Sequence, residues 1–350
     1  MLATDRWHVL CQGNAESDWY KVTPDNTGSY VNGTWTKAAS LPAGYVPDAF
    51  ASAVLADGRA VITGGAYLNG AFTLTNLVAI YDPKANPWTI LPAPASWKYI
   101  GDWPSTVLPN GTFVVGNKLT QSMAMLNRKA LAWTVLPGTG KSAFNAEEGW
   151  TLLPDGSILT RDVKNAPNSE RHVSSTKKWT TVGSTTVDLH SPSPFGCIHY
   201  GPNGSLCYFP PGEIGPAILR PDGTVFATGS NSSSGSGAGH TAIYDTQTKA
   251  WTAGPDFPNG DNGGDSFAVL LPKGDVLVEG VVASYLWDGV SLTQTLATPG
   301  SVIILPTGQV LVGGTEVCNP AGTYQATWAP TIAAVTTSAK RGSTYKISGT

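Results

Sequence analysis

The stretch that decides the reading is Val54–Gly65, V-L-A-D-G-R-A-V-I-T-G-G. An apolar run enters Asp57-Gly58, a two-residue turn that accepts positive φ. A second apolar run leaves it and stops at Gly64-Gly65, where the chain bends with no side chain in the way. This is the pattern of a β-hairpin. Turns of the same kind stand between apolar runs at Asn110-Gly111, Asp155-Gly156, Asp222-Gly223, Lys273-Gly274 and Thr307-Gly308. A degraded copy opens the chain at Asp5-Arg6, ahead of Trp7-His8-Val9-Leu10-Cys11-Gln12-Gly13. The turn glycines are spaced by 53, 45, 67, 51 and 34 residues. The longest step marks an insertion and the shortest a unit with short loops.

Units of about 40–50 residues built from short strands read as propeller blades. Two further elements follow each hairpin: Val78-Ala79-Ile80-Tyr81-Asp82 then Trp88-Thr89, Met123–Asn127 then Trp133-Thr134, His172-Val173 then Trp179-Thr180, and Thr241–Asp245 then Trp251-Thr252. In the first unit Ser29-Tyr30-Val31 precedes Trp35-Thr36, and in the sixth Leu292 replaces the Trp. A four-stranded blade cannot cover both of its faces alone, whereas radial packing covers them and leaves short edges. The recurring Trp has the area to fill the gap that widens outward between blades.

The order turn, double glycine, Tyr-Asp, Trp resembles the kelch repeat over about residues 1–330, in a divergent form, since the diglycine is clean only at Gly64-Gly65 and Gly313-Gly314. The resemblance implies an all-β fold: a seven-bladed kelch-like β-propeller with four-stranded antiparallel blades over 1–329. After Trp328 the character changes, and 330–350 is similar to the start of the immunoglobulin-like domain that follows the propeller in galactose oxidase relatives. The chain then reads as a fragment of a longer protein.

Composition narrows the function. Hydrophobic residues make up 41% and charged ones 13%, with 40 Gly and 26 Pro, which suits large buried cores joined by many turns. A net charge of −3 and no basic stripe exclude nucleic acid as a partner. No apolar run reaches the ~18–20 residues that span a bilayer. Twelve Trp and few charges resemble secreted bacterial proteins, although Met1-Leu2-Ala3-Thr4 leads straight into strand sequence and carries no signal peptide. An extracellular monomer is expected. Cys197 and Cys207 either bridge a hairpin or stay as two small buried thiols.

The turns between first and second strands are short, so the long, varied loops gather on the opposite face, and function belongs there. Five successive units place an acid 9–10 positions before the turn glycine: Asp48, Asp102, Glu147 with Glu148, Glu213 and Asp265. Trp103 sits beside them. A ring of carboxylates at a channel rim suits sugar hydroxyls, a cationic group or a divalent cation, and like charges would raise one another's pKa. The competing reading is a repeated structural role, each carboxylate capping loop N–H groups. The insertion carries His190, His199 and a Gly-Pro-Asn-Gly hairpin, and with His240 it offers three imidazoles to Zn or Cu. The alternative is three separate loop histidines.

Two function classes follow. The first is a binding module that recognises a glycan or protein ligand, with Trp19, Tyr20, Trp97 and Trp103 as stacking candidates. The second is a hydrolase or lyase acting on carbohydrate through two carboxylates, or through a bound metal. Copper-radical oxidation, which the galactose oxidase resemblance implies, is not carried over: His199-Tyr200 reverses the expected pair, and Cys11 has no evident Tyr partner. No nucleophile elbow, metalloprotease helix, P-loop or dinucleotide fingerprint is present in a fitting context.

Overall fold

The structure, a computed structural model, describes residues 1–4, 8–13, 16–102, 104–230, 239–295 and 300–313, together with the strand segments Thr323–Tyr324, Ile332–Ala334 and Ser348–Gly349. It is all-β apart from two single-turn 3-10 segments. Six four-stranded antiparallel sheets follow one another along the chain, and a seventh shows three strands among the described residues. Within each sheet the strands lie in chain order. The first strands are Leu2–Thr4, Ala51–Val54, Ser105–Val107, Thr151–Leu152, Ala217–Leu219, Ala268–Leu270 and Ser301–Ile304, and each lies beside the next. All six turn glycines that separate first and second strands have positive φ, between 79° and 94°, which a side chain would strain.

Second strands are buried on both faces, as Ala60–Thr63 shows, and a strand's period of two sends alternate residues to opposite neighbours. Ile62 packs with Trp19 and Leu10 of the first sheet, whereas Val61 packs with Phe113 and Val115 of the third. Val225 joins Leu159 of the fourth sheet, and its neighbour Phe226 stacks on Trp287 of the sixth at 4.7 Å. Further clusters join the third sheet to the fourth through Val114 and Trp179 and the sixth to the seventh through Leu277 and Val310. The last cluster closes the circle: Val9, Cys11 and Val22 of the first sheet pack with Leu305 and Leu311 of the seventh.

The recurrent tryptophans reach back to the preceding sheet. Trp88 Nε1 donates to Ala39 O at 3.1 Å, Trp133 Nε1 to Pro92 O at 2.8 Å, and Trp251 Nε1 to Ser169 Oγ at 2.8 Å. The last bond is buried, so Trp251→Phe is expected to cost about 1–3 kcal/mol by leaving Ser169 without its donor. Urea unfolding measures it, and an unchanged midpoint would show that the indole only fills space.

One strand differs from the sequence reading. The third strand of the first sheet is Trp19–Thr23, paired with His8–Gln12 and Thr34–Lys37. Ser29-Tyr30-Val31 forms the turn region after it. The polar stretch around Asp18 and Lys21 hides a strand whose inward residues, Trp19 and Val22, are buried. The boundary expected at 329/330 lies outside the described residues. Beyond it, Ile332–Ala334 pairs antiparallel with Ser348–Gly349.

Candidate functional site

Each unit turns sharply before its first strand. At that point Ala49, Gly101, Glu147, Gly212 and Asp265 adopt φ of 48°, 77°, 58°, 121° and 53°. Three of the five are not glycine and hold the left-handed conformation against a steric cost. This repeated bend places Asp102, Glu147, Glu213 and Asp265 in one electrostatically coupled group on the loop face. A solvent-open pocket lies there, lined by Glu147, Glu148, Gly149, Glu213, Ile214, Gly215, Pro216, Asp265 and Ser266.

One cation serves the group. Lys118, in the connection after the strand Phe113–Gly116, has a side chain only 2% exposed. Its Nζ lies 2.5 Å from Asp102 Oδ1 and 2.5 Å from Glu147 Oε1. The Tyr208 ring stands 5.1 Å from the same ammonium, and Tyr208 OH donates to Glu147 Oε1 at 3.1 Å. Burial works against the charge on Lys118, but Asp102 and Glu147 outweigh burial and hold it charged. Glu213 and Asp265 form no ion pair with Lys118, whose charge reaches them only from a distance. Neither side chain has a hydrogen-bond partner among the described residues, and both face the pocket.

Burial pushes Glu213 up to about 8, helped by the charges of Glu147 and Asp265 and opposed by Lys118. Burial also raises Glu147 to about 6 against the pull of Lys118. Asp265 is raised by its surroundings first and by Asp102 second: it opens to solvent on the pocket side yet is closely backed by protein. A carboxyl with a raised folded pKa stabilises most below its unfolded value, and that stability is lost as pH rises through the folded value. Stability should therefore fall between about pH 4.5 and pH 8, and Glu213→Gln should flatten the slope. Urea midpoints across that range check it, and an unchanged slope in the variant counts against the assignment.

The other expected residues are placed differently. Asp48 is exposed and accepts from the Ala49 N–H at 2.8 Å, the local capping role. Glu148 lines the pocket, but its carboxylate turns inward to Lys141 Nζ at 2.9 Å and Thr160 Oγ1 at 3.0 Å. Lys141 also donates to Glu170 at 2.8 Å, so this triad is a closed, fully buried ion network. Trp103 lies outside the described residues. Trp19 and Trp97 are core residues, 1% and 9% exposed, and cannot stack on a ligand.

The three histidines are engaged separately. His190 Nε2 contacts Pro211 O at 2.8 Å, His199 Nδ1 contacts Gly204 O at 3.1 Å, and His240 Nδ1 pairs with Asp256 at 2.7 Å. Among the described residues no three His, Cys, Asp or Glu side chains are grouped to hold a metal ion. This includes the rim acids, whose nearest cation is Lys118. Cys197 and Cys207 form a disulfide with Cα atoms 5.5 Å apart. Cys11 is also disulfide-bonded, which removes it as a thioether partner for a tyrosine.

The disulfide closes a hairpin, Ile198–Tyr200 with Leu206–Tyr208. It leaves the chain between the fourth and fifth sheets and lies over loops of the second and third. Tyr208 stacks on Phe72 at 6.3 Å, and Tyr200 meets Tyr99 edge-on at 5.4 Å. These contacts, with Ala66, Leu74 and Ala146, form an apolar cluster on the loop face.

No family model matches the chain, and no curated protein is detectably similar to it. Solved structures do resemble it. A fungal alcohol oxidase of the AA5 family, in complex with copper, superposes with a TM-score of 0.61 at 14% identity, over 95% of this chain and 77% of that one. The extracellular domain assigned to a hybrid two-component system of B. thetaiotaomicron gives 0.57 at 10%, over 96% and 40%. Virginiamycin B lyase from Staphylococcus aureus gives 0.53 at 14%, over 87% and 86%. With the closed circle of sheets, these likenesses establish a propeller-type fold.

Proposed function

We propose that this chain is a secreted, seven-bladed kelch-type propeller that binds a glycan in the acidic pocket of its loop face. The observation that carries the reading is the pair Glu213 and Asp265, two carboxyls that face an open pocket and have no hydrogen-bond partner among the described residues. Near neutral pH Glu213 keeps its proton about half of the time or more and can donate, while Asp265 and Glu147 accept. Ser266 and the backbone of Gly149 and Gly215 add polar groups. Exposed aromatic faces stand close in sequence, Phe267 beside Ser266 and Phe209 before Glu213. A few convergent polar groups beside aromatic surface suit sugar rings. The disulfides fit an oxidising compartment, and 330–350 is read as the opening of a second β domain.

A second reading, a hydrolase or lyase on the same class of ligand, draws on the separation between Glu213, near 8, and Glu147, near 6. Carboxyls held in different protonation states can divide acid and base roles. A glycan array probed with wild type and with Glu213→Gln/Asp265→Asn tests the binding. Bound glycans are then incubated with protein and assayed for cleavage. Loss of array signal in the variant supports the pocket, and cleavage by wild type alone supports the enzyme.

A further inference from the structure

The disulfide-closed hairpin has more structure than an insertion on a binding face requires. Its root is clamped where Ser191 and Glu213 exchange backbone hydrogen bonds of 3.0 and 2.9 Å, which fixes Glu213 in the pocket wall. The hairpin crosses to the far side of the face, where Tyr200 beside its turn and Tyr208 at its open end, 7% and 5% exposed, rest on Phe72 and Tyr99. Between root and tip Tyr208 covers Lys118 and bonds Glu147. The hairpin therefore shuts the half of the acidic group formed by Asp102 and Lys118, and leaves open the half formed by Glu213 and Asp265.

We infer that this hairpin is a strap over the acidic site, stiffened by the Cys197–Cys207 bridge between its own two strands, which keeps Tyr200 and Tyr208 together against Phe72 and Tyr99, and able to lift from them once that bridge is open. Cys207 is exposed and Cys197 is half-buried, so a dithiol can reach the pair. The S–S bond breaks, both sulfurs become thiols with two electrons and two protons from the dithiol, and the dithiol closes into its own disulfide. Without the bridge, the hairpin is held by aromatic contacts and one tyrosine hydroxyl. Lifting it exposes Lys118, Asp102 and the full width of the carboxylate group. The inference is independent of which ligand fills the pocket.

Hydroxyl-radical footprinting of the whole protein reads the strap directly. Tyr200 and Tyr208 report the hairpin, while Tyr81 and Tyr244, buried in the sheets, report the fold. In Cys197→Ser/Cys207→Ser, which leaves the Cys11 bridge intact, modification of Tyr200 and Tyr208 should rise about tenfold, equivalent to about 1.4 kcal/mol off the opening free energy. Tyr81 and Tyr244 should not change. Dithiol treatment of wild type should reproduce the rise, and Phe72→Ala should raise Tyr200 with the disulfide intact. Unchanged Tyr200 and Tyr208 would overturn the strap. So would a rise in all four tyrosines, which would make the bridge a support of the whole fold.

Discussion

Replacing Lys118 with methionine should lower the unfolding free energy by about 3–5 kcal/mol, because it strands two buried carboxylates without their counter-ion. Asp102 is 7% exposed, Glu147 accepts from both Lys118 and Tyr208, and the ammonium lies 2.5 Å from each carboxylate. Methionine keeps the stem's packing, so the loss reports charge rather than volume. Acid should narrow the gap. In the variant, the two stranded carboxyls carry a buried charge that protonation removes. Their penalty is then full at high pH and disappears as pH falls below the unfolded values near 4. Adding Asp102→Asn and Glu147→Gln to Lys118→Met should recover most of the loss at neutral pH. Urea unfolding at pH 4.5 and 7.5 checks this. A loss below about 1 kcal/mol at pH 7.5 would mean that the network is solvated.

Glu213→Gln with Asp265→Asn should do the opposite: stability holds or rises, while affinity for a glycan found on the array falls about 10–100-fold. That is the worth of one or two hydrogen bonds to charged groups. Among the described residues the two carboxyls have no hydrogen-bond partner, and they repel each other, so neutral amides remove a penalty. Asn also tolerates the left-handed backbone at 265, where φ is 53°. Isothermal titration and thermal unfolding of the same preparations separate the outcomes. Unchanged affinity with a lower melting temperature would assign both residues to structure, the capping role that Asp48 fills.

The ring was legible because its determinants are local. Asp57-Gly58 and its counterparts are turns whose glycines must take positive φ, and the pairs Tyr81 with Trp88 and Tyr244 with Trp251 stand at the same places in two units, with a Trp at that place in others. Polar loops erased the signal for Trp19–Thr23, where only two of five residues are buried. The acids of the rim were visible by their common distance from the turn, since each lies at or next to the same bend. Their division was not. Glu147 and Glu148 are adjacent, yet the first turns to Lys118 and the second to Lys141, a choice made by side chains from other sheets. Lys118 left one weak trace, a lone charge following Phe113-Val114-Val115-Gly116-Asn117 in a chain with few charges. The histidines misled because distance along the chain says nothing of convergence. His190 and His199 are tied to carbonyls of their own insertion.

The claim on which the rest depends is that the closed circle gathers carboxyls from four sheets into one group, of which Glu147, Glu213 and Asp265 line the pocket. The ionisation of Glu213, followed by carboxyl ¹³C NMR with Glu213→Gln to assign the signal, tests it most directly. The account requires a midpoint near 8 that moves down when Asp265 becomes asparagine. A midpoint in the ordinary range of about 4–5, unmoved by that substitution, would contradict it.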